Sequence, residues 1–138
     1  MQTTARCLAL WLLPLLLLAT PALQAQNTPS ADPKSIPVID GGLGSCSADF
    51  TITDRAGAPI YAATIQVHIA YGFLSAHKLD LQVGTNAAGK ARFTGLPGAT
   101  KHGLFFQASE GEREASAFDD PAVTCKAEFT LALQKKSQ

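Results

Sequence analysis

The chain has 138 residues, room for one domain with short appendages. Its 11 Lys and Arg balance 11 Asp and Glu, and no run of like charge exceeds two residues. A basic footprint for nucleic acid is therefore excluded, as is a polyanionic tail.

The first segment has the composition of a secretory signal peptide over residues 1–25. Arg6 supplies the positive start, Leu8 to Leu18 is almost wholly apolar, and Ala19 to Ala25 turns small and helix-breaking. A membrane span needs about 20 apolar residues. This stretch is shorter and contains Pro14, so the expectation is cleavage near Ala22 or Ala25, export to the periplasm or beyond, and no membrane span in the mature protein. Cys7 lies before the apolar stretch, which is the wrong place for a lipid-bearing cysteine.

Residues 26–44 read as a flexible linker. Pro29, Pro33 and Pro37 stand among small and polar residues, and Gly41-Gly42-Leu43-Gly44 forms a joint into the domain. That glycine cluster lacks the spacing and the strand-to-helix setting of a phosphate loop.

From Ser45 onward period-two alternation replaces any helical period. Ala48-Phe50-Ile52 opens the series, and a turn follows at Asp54 to Gly57. Ile65-Val67-Ile69-Tyr71 then alternates with polar neighbours, as does Leu79-Leu81-Val83. After a turn at Asn86 to Gly89 come Ala91 and Phe93, then Leu104 to Ser109, then Glu112 to Phe118. Cys125-Ala127-Phe129-Leu131-Leu133 ends the pattern. Seven strands with short turns predict an all-β, seven-stranded antiparallel two-sheet sandwich over residues 45–134, of prealbumin-like or Ig-like type, with a polar tail at 135–138.

Without Cys7, two cysteines remain, Cys46 and Cys125, and an exported pair is expected to form a disulfide. Cys46 shares parity with Phe50, and Cys125 with Phe129, each four residues before its phenylalanine. Antiparallel pairing centred on those rings would put the cysteines at opposite ends, roughly 26 Å apart at 3.3 Å per residue. The first and last strands are therefore expected to run parallel, or the cysteines to bridge two sheets at one end, with both sulfurs turned to the core.

Two stretches carry a family resemblance. Thr53-Asp54-Arg55-Ala56-Gly57-Ala58-Pro59-Ile60-Tyr61-Ala62-Ala63-Thr64-Ile65-Gln66-Val67 resembles the opening hairpin of carboxypeptidase regulatory-like, or transthyretin-like, domains. Thr85-Asn86-Ala87-Ala88-Gly89-Lys90-Ala91-Arg92-Phe93 with Gly95-Leu96-Pro97 resembles that family's second hairpin and corner. Asn86 stands where the family commonly has Asp, and Ala62 where it commonly has Gly. The resemblance implies a prealbumin-like sandwich serving as an accessory, adhesive or structural module.

Chemistry is sparse. His68, His77 and His102 share no ligand spacing, so no metal site and no cofactor are expected. Asp119-Asp120 before Pro121 reads as a turn, and Glu110, Glu112 and Glu114 around Arg113 as charges guarding a strand edge. The family's hydroxyisourate hydrolases end in Tyr-Arg-Gly-Ser, which has no counterpart here, and Gly-x-Ser-x-Gly is absent. The expectation is no enzyme and no catalytic residue, but a module supporting another envelope or extracellular protein. Tyr71, Phe73 and Leu74 form an apolar, Gly-containing loop. It reads either as a plug over the core or, if exposed, as a partner contact. A glycan ligand is the alternative, with Tyr61, Tyr71 and Phe73 as the available aromatics. A hydrolase is the least favoured reading.

Overall fold

The computed structural model describes residue 32 and residues 34–136; the signal-peptide reading falls outside them. Among the described residues no helix is long and apolar enough to cross a membrane. The strands are β1 (Val38–Asp40), β2 (Cys46–Thr53), β3 (Thr64–Tyr71), β4 (His77–Gly84) and β5 (Lys90–Leu96). They continue as β6 (Leu104–Glu110), β7 (Arg113–Asp119), β8 (Lys126–Ala132) and β9 (Gln134–Lys135). Two sheets result, one of four strands in the order β1-β5-β2-β8 and one of five in the order β4-β3-β6-β7-β9.

Each of the seven alternating stretches became a strand, and the pleat explains why. Successive side chains point to opposite faces, so a period of two buries one face against the other sheet. Phe50, Phe93 and Phe106 meet at the centre of the core, with ring centroids 4.9 to 5.8 Å apart. Ile52, Ile65, Ile69, Leu96 and Leu104 fill the space around them.

Three expectations are corrected. There are nine strands among the described residues, not seven, and β1, which was not expected as a strand, pairs with β5 in parallel. The linker assignment over 26–44 fails in its second half, because Val38–Asp40 pairs with β5. Pro37 assists: its carbonyl accepts from the Arg92 N–H, and the missing proline donor is not needed there. The polar tail also contributes, as Gln134–Lys135 pairs with β7. This removes the free edge that the glutamates around Arg113 were read as guarding. Those side chains instead pair with cations: Arg113 with Glu110 at 2.6 Å, and Lys136 with Glu114 at 3.7 Å.

The first and last long strands run parallel within one sheet, with Phe50 opposite Phe129. That register places Cys46 beside Cys125, and the two are joined with their Cα atoms 4.6 Å apart. Cys46 is buried but Cys125 is exposed, so the bridge lies at the rim of the core rather than inside it. It closes a span of 79 residues, which on the chain-entropy argument contributes about 4–5 kcal/mol at most.

The residues of the resemblance act on the backbone. Gly95 has φ 64°, and a Cβ there would lie 1.9 Å from the Asp40 carboxylate that accepts from the Gly42 N–H. Only glycine lets β1 leave the sheet at that corner. Asn86 is buried; its Oδ1 accepts from the Ala88 and Lys90 N–H groups while its Nδ2 donates to the Lys34 and Ser35 carbonyls. Aspartate could make the first pair of bonds but not the second.

Candidate functional site

Two surface features stand out, and both belong to the five-stranded sheet. The first is the tip of the β3–β4 hairpin. Tyr71 and His77 close the ladder with their rings 5.4 Å apart, and a single 3-10 turn, Phe73–Ser75, connects them. Gly72 has φ 80°, while Leu74 and Ser75 adopt φ 54° and 56° without being glycine. Holding such residues in the left-handed region costs on the order of 1–3 kcal/mol each. The result is an outward display: Phe73 is 87% exposed and Leu74 80%. The plug reading of this loop is thereby corrected. Of the three residues only Tyr71 packs on the core, and only in part.

The same end of the sandwich carries the starts of β2, β6 and β8 and the ends of β5 and β7, as the registers require. Exposed Val123 stands in the β7–β8 connection there. That connection is a tight turn, with Asp120 Oδ1 accepting from the Ala122 N–H and the Asp120 carbonyl from Val123 and Thr124. The Asp119-Asp120 pair is thus turn chemistry. Asp119 itself is buried, and burial raises its carboxyl above the usual carboxylate range, with neighbouring Asp120 adding to the effect.

The second feature is the outer face of the same sheet. Cross-strand register assembles two rows of side chains. Gln82, Gln66, Gln107 and Ser116 form one, running from β4 across β3 and β6 to β7. The Gln66 amide donates to the Gln107 carbonyl oxygen at 3.1 Å. The next row runs Asp80, His68, Phe105 and Phe118. His68 Nδ1 lies 2.6 Å from Asp80 Oδ1, and Phe105 faces Phe118 across the β6–β7 pair. Both rings stand on the surface, Phe105 56% exposed and Phe118 59%. Phe118 is seated on the backbone of Gly103, where a Cβ would meet the ring at 2.4 Å. A hollow of about 460 Å³ lies between Asp80, Gln82 and Phe105, and one of about 370 Å³ lies on the far side of Phe105, toward Ser116.

Sequence reasoning missed these two aromatics. Leu104-Phe105-Phe106 is a continuous apolar run that hides the alternation. The signal was in parity, because Phe105 shares a face with Gln107, and Phe118 with Ser116.

The remaining candidates disperse. Tyr61 is exposed in the β2–β3 connection, at the opposite end from Phe73. His68, His77 and His102 do not converge, and among the described residues no group of three His, Cys, Asp or Glu could hold a metal ion. The outer face of the four-stranded sheet carries a two-pronged ion pair, Arg92 with Asp49, flanked by Lys90 and Glu128. Charges of both signs interspersed in this way form a solvated surface.

No protein-family model matches the chain, and no curated protein matches it. Among solved structures it is similar to 3-chlorocatechol 1,2-dioxygenase from Rhodococcus opacus 1CP, at 13% identity and a TM-score of 0.48. That match covers 77% of this chain and 66% of the other. It is also similar to catechol 1,2-dioxygenase from Pseudomonas arvilla C-1, at 14% identity and a TM-score of 0.49 over 76% of this chain and 60% of that one. A point mutant of Acinetobacter radioresistens catechol 1,2-dioxygenase matches over the same shares at 14% identity and a TM-score of 0.46. The chain thus spans 60 to 66% of the length of these proteins. The expectation that the chain is no enzyme is corrected by these neighbours, which are dioxygenases by name; it rested on missing hydrolase motifs, which say nothing of other chemistries. At such identity the likeness concerns the fold and transfers no activity to this chain.

Proposed function

We propose that this chain is an exported, disulfide-stapled binding module of the carboxypeptidase regulatory-like, prealbumin-like kind. On this reading it contacts another envelope or extracellular protein through the tip of the β3–β4 hairpin. The observation that carries the reading is the pair Phe73 and Leu74, held outward on a turn whose backbone is strained. Burying two large apolar side chains in a partner would gain about 1.5–3 kcal/mol each, whereas in water they gain nothing. A strained turn that keeps them exposed is therefore best explained by a surface they enter. Export is supported by the joined cysteines, which suit an oxidising compartment, and by the apolar leader.

The test is capture from an envelope fraction by the protein and by a Phe73→Ser/Leu74→Asn variant. Asparagine tolerates the left-handed conformation at position 74, so the turn is kept. The expected outcome is a partner retained by the unmodified protein and lost by the variant, with a thermal midpoint no lower than that of the unmodified protein. Equal capture by both would refute the tip as the contact.

A further inference from the structure

We propose that the outer face of the five-stranded sheet binds a neutral, extended oligosaccharide, at a site separate from the hairpin tip. Ring hydroxyls of a sugar both donate and accept. Glutamine amides also do both, and Gln66, Gln82 and Gln107 stand side by side on three adjacent strands. The C–H face of a pyranose is apolar, and Phe105 and Phe118 offer exposed ring surface in the row beside the amides. Neither an all-polar nor an all-apolar ligand would use both rows.

Spacing and order favour a chain over a single sugar. Adjacent strands lie about 4.8 Å apart, close to the length of one hexose unit. An oligosaccharide lying across the strands would present successive units to β4, β3, β6 and β7. The two hollows on either side of Phe105 give such a chain room to both sides of the ring. Much of the face is ordered in advance. Gln66 is bonded to Gln107, His68 to Asp80, and Phe118 rests on Gly103. A preordered face loses less freedom when its ligand binds.

Charge complementarity selects the class of glycan. Among the described residues no Lys or Arg lines the larger hollow, and Asp80 is the only carboxylate there. The smaller hollow has one residue of each sign, Glu114 and Lys135. A sulfated or uronic-acid chain finds no cluster of cations here, whereas a neutral one has nothing to repel it.

Isothermal titration of the purified protein with cellohexaose and with N-acetylglucosamine hexamer tests this, with heparin as the anionic comparison. Saturable binding of at least one neutral hexamer is expected, and none of heparin. Phe105→Ala should weaken binding about tenfold. Phe105→Leu, which keeps apolar bulk on the strand but removes the ring face, should weaken it as well while holding the thermal midpoint. The Phe73→Ser/Leu74→Asn variant should bind the glycan normally, so this proposal and the tip contact can fail separately. Absence of heat with both neutral hexamers would overturn the proposal. So would tighter binding of heparin, or an affinity untouched by both Phe105 substitutions.

Discussion

Ala62 holds φ 56° at the end of the β2–β3 connection, where its N–H donates to the Thr85 carbonyl. An L-residue in that region costs roughly 1–2 kcal/mol, while glycine loses about 0.5–1 kcal/mol more backbone entropy on folding. The balance favours glycine, the residue common at this place in the domains the hairpin resembles. Ala62→Gly is expected to raise stability by about 0.5–1 kcal/mol, read as a higher denaturant midpoint with an unchanged slope. Asp119 makes a different case. Because burial raises its folded-state pKa, the unfolded chain gives up the proton first as pH rises. Stability is therefore lost between the unfolded and the folded pKa, and the penalty persists at neutral pH. Asp119→Asn should raise the thermal midpoint by a few degrees at pH 7 and leave it nearly unchanged well below the carboxylate range.

Strands were legible in this sequence wherever one face is apolar and the other polar. β2 and β3 announced themselves in that way, and even the parallel run of β2 and β8 could be reasoned from the matched offsets of Cys46 to Phe50 and Cys125 to Phe129. β1 and β9 were not legible. They have three and two residues, and a period cannot be read from so few. Their positions are set by tertiary contacts instead: Asp40 at the Gly95 corner, and Lys136 N–H donating to the Glu112 carbonyl. The outer-face site was hidden for the related reason that Leu104-Phe105-Phe106 is apolar on both faces. The segment leading into β1 offers a test at this scale. Asn86→Asp would turn a carboxylate oxygen toward the Lys34 and Ser35 carbonyls, now 3.3 and 3.1 Å from the amide nitrogen. A loss of about 1–3 kcal/mol is expected, with faster amide exchange in β1 before the rest of the sandwich.

At the scale of the whole molecule, two sheets share one aromatic core, and the disulfide joins the first and last long strands of one of them. The four-stranded sheet offers solvent a lattice of opposite charges and takes the staple at its rim. Both candidate recognition surfaces fall to the five-stranded sheet, one at its tip and one on its outer face. The β2–β8 seam packs against that sheet through the core, where Phe129 of β8 stacks on Phe50 at 5.2 Å and lies 6.1 Å from Phe106 of β6. Peptide mapping of unreduced protein by mass spectrometry, after blocking free thiols, examines that seam directly. One linked pair of peptides containing Cys46 and Cys125 is expected, with neither thiol blocked. Recovery of both cysteines as blocked thiols from the unreduced protein would contradict that linkage.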